Sequence, residues 1–354
     1  MHLFFRITIL RILPFLLLAA LLVGTERLYF RIHTAVIDLG DADHAWLTIP
    51  TGAGFNQVKD SLYHHDYVSK KKFFENYVEL GKYDHYFKPG RYRLRNRMNA
   101  RELVDMLIMG FQTPVNVSFH NIRKKEELAG RIARQIEADS LSLLTVLSDN
   151  TILSQYDVTP LTVFTLTIPN TYEMWWNSTA EDFMARMATE SRKFWKGART
   201  RKADSIGLTI PEVVTLASII EKETTKNDEK PLIAGVYINR LQKKWPLQAD
   251  PTLIYAWDDF TINRVLNRHK KINSPYNTYK NRGLPPGPIC LPSITSIDAV
   301  LNYRDHKNMY FCAKEDFSGY HVFSSTMSEH NRNARRYQEA FNRIKNSEFR
   351  ITNI

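Results

Sequence analysis

The sequence predicts an α+β protein in three parts: an N-terminal transmembrane helix, a small α/β module and a larger mixed α+β domain. Three observations lead there. A chain of 354 residues with 44% hydrophobic and 12% aromatic content exceeds one ordinary domain and carries enough apolar material for real cores. An uncharged apolar run, Ile12 to Gly24, follows Arg6 and Arg11 at the start of the chain. Beyond it, strand-like and helix-like patterns succeed one another with no internal repeat or low-complexity segment. The formal charge of +11 suits an acidic polymer or surface: nucleic acid, phospholipid headgroups or a carboxylate-bearing cell wall. Two cysteines, Cys290 and Cys312, rule out a disulfide framework and a Cys-based zinc site, and leave a single bridge between them open.

The apolar run makes residues 1–25 a membrane anchor. A helix beginning near Phe4 reaches across a bilayer if Arg6 and Arg11 snorkel to the cytoplasmic interface. No small-x-small cleavage site follows, because Gly24 leads into Thr25, Glu26 and Arg27, which favours an uncleaved anchor over a signal peptide. Arg27 and Arg31 weaken the charge asymmetry, but a large C-terminal part is exported regardless. That places it outside the cytoplasm and leaves no role for a nucleic-acid partner. Residues 26–44 read as a linker.

The module spans 45–113. Ala45 to Ile49 is a strand, Pro50-Thr51-Gly52 a turn, and Phe55 to Tyr63 a helix with Val58 and Leu62 inward. Ser69 is the expected N-cap of the next helix, which carries Phe74, Tyr77 and Val78, and a strand returns at Gly90 to Leu94. Asn99 opens a further helix with Glu102 in capping-box position, Leu103, Met106 and Leu107 on one face, and Gly110 as stop. The strand, helix, helix, strand order resembles a LysM module, a small glycan-binding unit of wall enzymes.

Residues 114–354 form the larger domain. Pro114 leads into a strand (VNVSF), then a helix with Leu128, Ile132 and Ile136 on one stripe, then another ending near Asp149. The segment Pro169 to Trp176 holds too many aromatics for a casual surface turn, and Ser178 with Glu181 is expected to cap the following helix. Its basic tail, Arg192 to Lys202, reads as a solvated face. Thr209-Ile210-Pro211-Glu212 is a strong helix start that carries the chain through VVTLASIIEKETT.

Glu221 lies on that helix. Val214, Ala217, Ser218 and Glu221 share a face, so the carboxylate is expected among small and apolar neighbours, with its pKa raised by desolvation. Glu223 is two positions on, about 200° round the helix, so the two glutamates cannot form one catalytic pair. Taken alone, Glu221 is an ordinary charge at a helix end.

The segment LASIIEKET resembles the motif around the catalytic glutamate of the MltG (YceG-like) transglycosylase family. VYINRL at Val236 to Leu241, LQADPT at Leu247 to Thr252, SPYNTY at Ser274 to Tyr279, GLPPGP at Gly283 to Pro288, YHVF at Tyr320 to Phe323 and His330-Asn331 resemble it too, in order and approximate spacing. The resemblance covers nearly all of Pro114 to Tyr337 and implies an endolytic peptidoglycan lytic transglycosylase. It implies Glu221 as the acid/base, with Glu223, Gln248, Asp250, Thr252, Tyr276, Asn277, Thr278 and Tyr279 as substrate-binding candidates. Amides and hydroxyls hydrogen-bond sugars, and tyrosine rings stack on them. The implied reaction uses one carboxyl group, which protonates the glycosidic oxygen and then deprotonates the 6-hydroxyl of the muramic acid, closing a 1,6-anhydro ring. It requires neither metal nor cofactor. The implied partners are glycan strands, the plasma membrane and peptidoglycan synthases.

Two rival readings come from other classes. Cys312 and His321 could approach across a hairpin as a cysteine peptidase pair, but Cys312 sits in an alternating strand rather than at a helix N-terminus. A non-catalytic wall-binding scaffold would be expected to lose Glu221 or the YNTY segment, and both are present. There is no HExxH, no His-x-His, no P-loop and no complete GxGxxG pattern.

Overall fold

The computed structural model describes residues 14–15, 17–26, 29 and 33–351. Phe4, Arg6, Arg11, Arg27 and Arg31, which the anchor reading uses, lie outside the described residues. Helix α1 covers Leu17–Glu26, and among the described residues no single helix is long and apolar enough to cross a membrane. The chain divides into two compact units. The first takes residues up to Val117 with 135–137 and 172–178, and the second takes the rest.

In the first unit, strand β1 (His44–Ile49) is followed by α2 (Phe55–His64), α3 (Lys71–Gly81), β2 (Gly90–Arg95) and α4 (Ala100–Met109). β1 and β2 pair antiparallel, from His44 opposite Arg95 to Ile49 opposite Gly90. Alternation puts Leu47, Ile49, Tyr92 and Leu94 inside, where they meet Val58, Leu62, Phe74, Leu103 and Leu107 from the helices. α4 begins and ends as its sequence dictates: Asn99 and Glu102 form the reciprocal capping box and Gly110 closes in the left-handed region. Two expectations fail. Ser69 is no cap, because its hydroxyl donates to the Val36 carbonyl and α3 starts one residue later without a side-chain cap. The stretch read as a linker enters the core at Val36 and Ile37, bridged to Asn99 and Val68 through Ala35 and Ile37.

Strand β3 (Val115–Ser118) pairs with β4 (Thr171–Met174), which absorbs the aromatic segment as a strand burying Tyr172 and Met174. Helices α5 (Lys125–Ala133), α6 (Ser140–Val146) and α7 (Asn150–Ser154) lie between them. α5 stops before Ile136, α6 ends at Val146, close to the expected Asp149, and Asp149 caps the separate α7, its Oδ1 accepting from the amides of Thr151 and Ile152. α8 (Ala180–Trp195) is capped by Thr179 and Asp182, one residue beyond the Ser178 and Glu181 pair. The basic tail is broken by Gly197 at φ 80° and resumes as α9 (Ala198–Ile206), where Arg199 forks onto Asp298 at 3.0 and 3.2 Å and is no solvated charge.

α10 (Ile210–Glu223) is the axis of the second unit. Thr209 and Glu212 cap it reciprocally with Pro211 in the first turn, and every residue from Val213 to Ile220 is buried. It packs against α11 (Lys230–Gln242), α12 (Asp250–Trp257) and α13 (Ile294–Leu301). A Cβ at Gly235 on α11 would lie 2.3 Å from the Arg304 carbonyl oxygen, so only glycine permits that approach. The hairpin β5 (Tyr310–Ala313) and β6 (His321–Ser324) pairs Cys312 with Val322, and α14 (Met327–Ile351) ends the fold. Cys290 and Cys312 are both free thiols.

Candidate active site

Burial on every side of α10 delivers its last turn, Ile220 to Glu223, to the edge of the core, where two glutamates leave the helix in different directions. Glu221 turns toward α11 and α13. Its Oε2 accepts from Lys230 Nζ at 3.1 Å, from Ser293 Oγ at 2.5 Å and from Ser296 Oγ. Burial alone would raise its pKa, but the two serine hydroxyls and the lysine ammonium together outweigh it and hold the carboxyl below its ordinary value. This overturns the raised pKa expected from the apolar stripe. Lys230 is 5% exposed, so Glu221 is the counter-ion of a buried cation and a tie between three helices.

Glu223 leaves in a different direction, toward the middle of α11. Its Oε1 accepts from the Tyr237 hydroxyl at 2.5 Å, and the residue stays partly exposed. Burial pushes its pKa up to about 7; the Tyr237 hydrogen bond and Arg240 oppose this, while Asp250 adds to it. Asp250 stands at the start of α12 and accepts from the Tyr279 hydroxyl at 2.5 Å. The LASIIEKET, LQADPT and SPYNTY segments thus converge around Glu223 rather than Glu221.

The other expected substrate residues divide by exposure. Gln248 and Asp250 are exposed and Tyr279 is partly so. Thr252, Asn277, Thr278 and Tyr276 are buried, at 0%, 0%, 1% and 8% exposure, and three of them are visibly scaffold. Thr252 and Thr278 join their hydroxyls at 2.8 Å, and the Thr278 hydroxyl takes the Ala249 amide at 3.0 Å. Asn277 Nδ2 donates to the carbonyls of Lys270 and Ile272 while its Oδ1 takes the Tyr279 amide. These bonds fix Gln248 in the left-handed region, φ 52°, with its amide donating to the Thr278 carbonyl at 3.0 Å.

A second polar network was not foreseen. Glu229, 3% exposed, accepts from the His321 amide at 2.7 Å, lies 2.7 Å from His321 Nδ1, and receives the hydroxyl of Thr224, the residue after Glu223. A glutamate in a charged TTKNDEK run carries no sequence signal of burial. The same network removes the peptidase reading, since it engages His321 and burial raises the Cys312 thiol pKa rather than activating it. Among the described residues no group of three or more His, Cys, Asp or Glu is placed to hold a metal ion.

Comparison with known proteins identifies the family. The profile of the YceG-like family matches residues 47–336. The chain is 28% identical over 337 residues to an endolytic murein transglycosylase of Bacillus subtilis strain 168, covering 90% of this chain and 91% of that one. It is 28% identical over 329 residues to the protein of the same description from Streptococcus pneumoniae serotype 2 strain D39, covering 84% of this chain and 59% of the relative. A crystal structure of a YceG-like protein from Listeria monocytogenes superposes with a TM-score of 0.54 at 26% identity, covering 82% of this chain and 98% of that chain.

Proposed function

Because the chain belongs to the YceG-like family, its profile match spanning residues 47–336, we propose that it is an endolytic lytic transglycosylase of peptidoglycan whose acid/base is Glu223. The observation that carries the choice of residue is the setting of Glu223: a carboxyl group at the end of α10 whose pKa burial lifts to about 7, held by the Tyr237 hydroxyl and close to the Asp250 and Tyr279 pair. Glu221, reached first by sequence reasoning, is committed to Lys230, Ser293 and Ser296 and is better suited to hold the helices together.

Protonated Glu223 delivers its proton to the glycosidic oxygen leaving the muramic acid. The resulting carboxylate keeps the Tyr237 hydrogen bond and then removes the proton from the 6-hydroxyl, which closes on C1 to give the 1,6-anhydro end. No water is activated, so one carboxyl group suffices. A pKa near 7 lets the group serve in both protonation states near neutrality. The ring of Tyr279, bonded through its hydroxyl to Asp250, suits sugar faces, and the exposed side-chain amide of Gln248, two residues before Asp250, suits sugar hydroxyls.

Residues 1–25 anchor the chain in the plasma membrane with the catalytic domain on the extracytoplasmic side; the apolar helix Leu17–Glu26 supports this. The strand, helix, helix, strand order of 45–113 supports a LysM-like glycan-binding role. Cleavage near the membrane suits nascent strands, ends their elongation and makes peptidoglycan synthases the natural partners. Digestion of purified peptidoglycan followed by mass spectrometry tests the activity: 1,6-anhydro-muramic ends are expected, and products with reducing ends alone would reject it.

A further inference from the structure

Glu223 is the last residue of α10, where the helical ladder gives out. The Thr224 amide still bonds the Ile220 carbonyl at 3.3 Å, and Thr224 itself is extended, at φ −147° and ψ 146°. The carbonyls of a last turn have no helical amides to meet, so that end frays unless other groups hold it. A displacement of about 1 Å at a reacting group can cost roughly 10²-fold in rate, so a catalytic carboxyl placed there has to be held.

Two consecutive residues at the start of α11 reach back to this end. Lys230 takes Glu221 at 3.1 Å, and Glu229 takes the hydroxyl of Thr224 at 3.3 Å. Thr224 is 6% exposed, and the same hydroxyl accepts the Lys226 amide at 3.0 Å, which braces the turn between the two helices. Glu229 is in turn fixed by the β5–β6 hairpin. Its Oε1 accepts the His321 amide at 2.7 Å, and its Oε2, the atom that meets Thr224, lies 2.7 Å from His321 Nδ1. The preceding pair repeats the contact at the surface: the Tyr320 hydroxyl donates to Asp228 at 3.2 Å, and the Lys226 ammonium lies 4.9 Å from the Tyr320 ring centroid. Tyr320 and His321 open the YHVF segment, which has no part in the proton transfers. Hydrogen bonds to a buried carboxylate are strong and reinforce one another, so this junction is stiff.

We propose that Glu229 and His321 are positioning residues for Glu223, acting through the Thr224 hydroxyl. His321 sets the Glu229 carboxylate, Glu229 holds Thr224, and the held backbone keeps Glu223 on the Tyr237 hydroxyl. Lys230 ties down the Glu221 side of the last turn, and Glu229 ties down the residue that follows Glu223. The effect on catalysis rests on the reading of Glu223 as the acid/base; the ordering of the turn does not.

Kinetics of anhydro-product formation from soluble glycan strands, with amide hydrogen exchange across residues 220–226, test this on the full chain in detergent. Thr224→Val keeps the side-chain shape and loses the hydroxyl. It should lower kcat about tenfold or more, leave KM within about twofold, and speed exchange at the end of α10. Thr224→Ser, which restores the hydroxyl, should recover most of the rate. Glu229→Gln and His321→Ala should show the same split between kcat and KM. Undiminished kcat in any folded one of Thr224→Val, Glu229→Gln and His321→Ala overturns the proposal, as does an equal loss in Thr224→Ser. Thermal melting establishes folding; if Glu229→Gln or His321→Ala does not fold, the two Thr224 variants decide. If the parent forms no anhydro ends, the catalytic reading fails by itself, and exchange left unchanged by Thr224→Val then overturns the ordering of the turn as well.

Discussion

Glu221 and Glu223 share the last turn of one helix, and their surroundings drive them to opposite protonation behaviour. On the side facing α11 and α13, one carboxylate receives two hydroxyls and an ammonium, and its pKa falls. On the side facing Tyr237 and α12, the other receives one neutral hydroxyl beside a second carboxylate, and its pKa rises to about 7. A rotation of about 200° separates a carboxylate held in an ion pair from a carboxyl group whose pKa is raised to about 7. Burial raises both: at Glu223 it is the largest cause and outweighs the Tyr237 hydrogen bond, whereas at Glu221 two hydroxyls and an ammonium outweigh it.

The largest expected effect is on activity. Glu223→Gln should reduce anhydro-product formation by at least about 10³-fold, toward the upper end for a group that serves as both acid and base, with circular dichroism unchanged. A folded variant with near wild-type activity would end the distinction between the two glutamates. Glu221→Gln should act on stability instead, because it strips a buried ammonium of its counter-ion. A loss of about 3 kcal/mol is expected in denaturant unfolding, with activity surviving at low temperature where the variant is folded. Complete loss of activity in a fully folded Glu221→Gln protein would reverse the assignment.

The pH dependence sharpens the same contrast. For Glu223 the folded pKa lies above the ordinary 4.5, so the native state binds the extra proton. Stability linked to it is present below pH 4.5 and lost as pH rises through about 7. Glu223→Gln should therefore gain stability relative to the parent above pH 7, by at most about 3 kcal/mol, and nothing at pH 4. Glu221 has the opposite sign: its contribution is present above pH 4.5 and lost as pH falls through its lowered value. Activity should decline above pH 7 as the acid form of Glu223 disappears, and Asp250→Asn should move that decline to lower pH by removing the neighbouring charge. A pH–rate profile of the two proteins reads both, and an unshifted limb would disconnect Asp250 from the site. The smallest effect belongs to Cys312→Ala, which should cost no more than about 1 kcal/mol and leave the products unchanged.

Local structure was largely legible. The capping boxes at Asn99 and Thr209, the glycine stop at Gly110 and the alternation of β1 and β2 are short-range devices, and each forms as its residues dictate. Caps misplaced by one residue, at Ser69 and Ser178, arise because a hydroxyl can serve a distant carbonyl or yield to its neighbour. The convergence of Glu223, Asp250 and Tyr279 was partly legible, as the segments carrying them were singled out together.

What the sequence by itself determined is the capped starts of α4 and α10, the alternation of β1 and β2, and the fact that Glu221 and Glu223 point apart. Which of the two carries the raised pKa was decided by tertiary structure alone. α10 is buried on all sides from Val213 to Ile220, so its apolar pattern has no polar face from which to infer solvent. The groups that set the two pKa values, Lys230, Ser293 and Ser296 against Tyr237 and Asp250, come from other elements of the fold. Proton affinity depends on charges and donors within a few ångströms, and only packing brings residues so far apart in the chain to that distance.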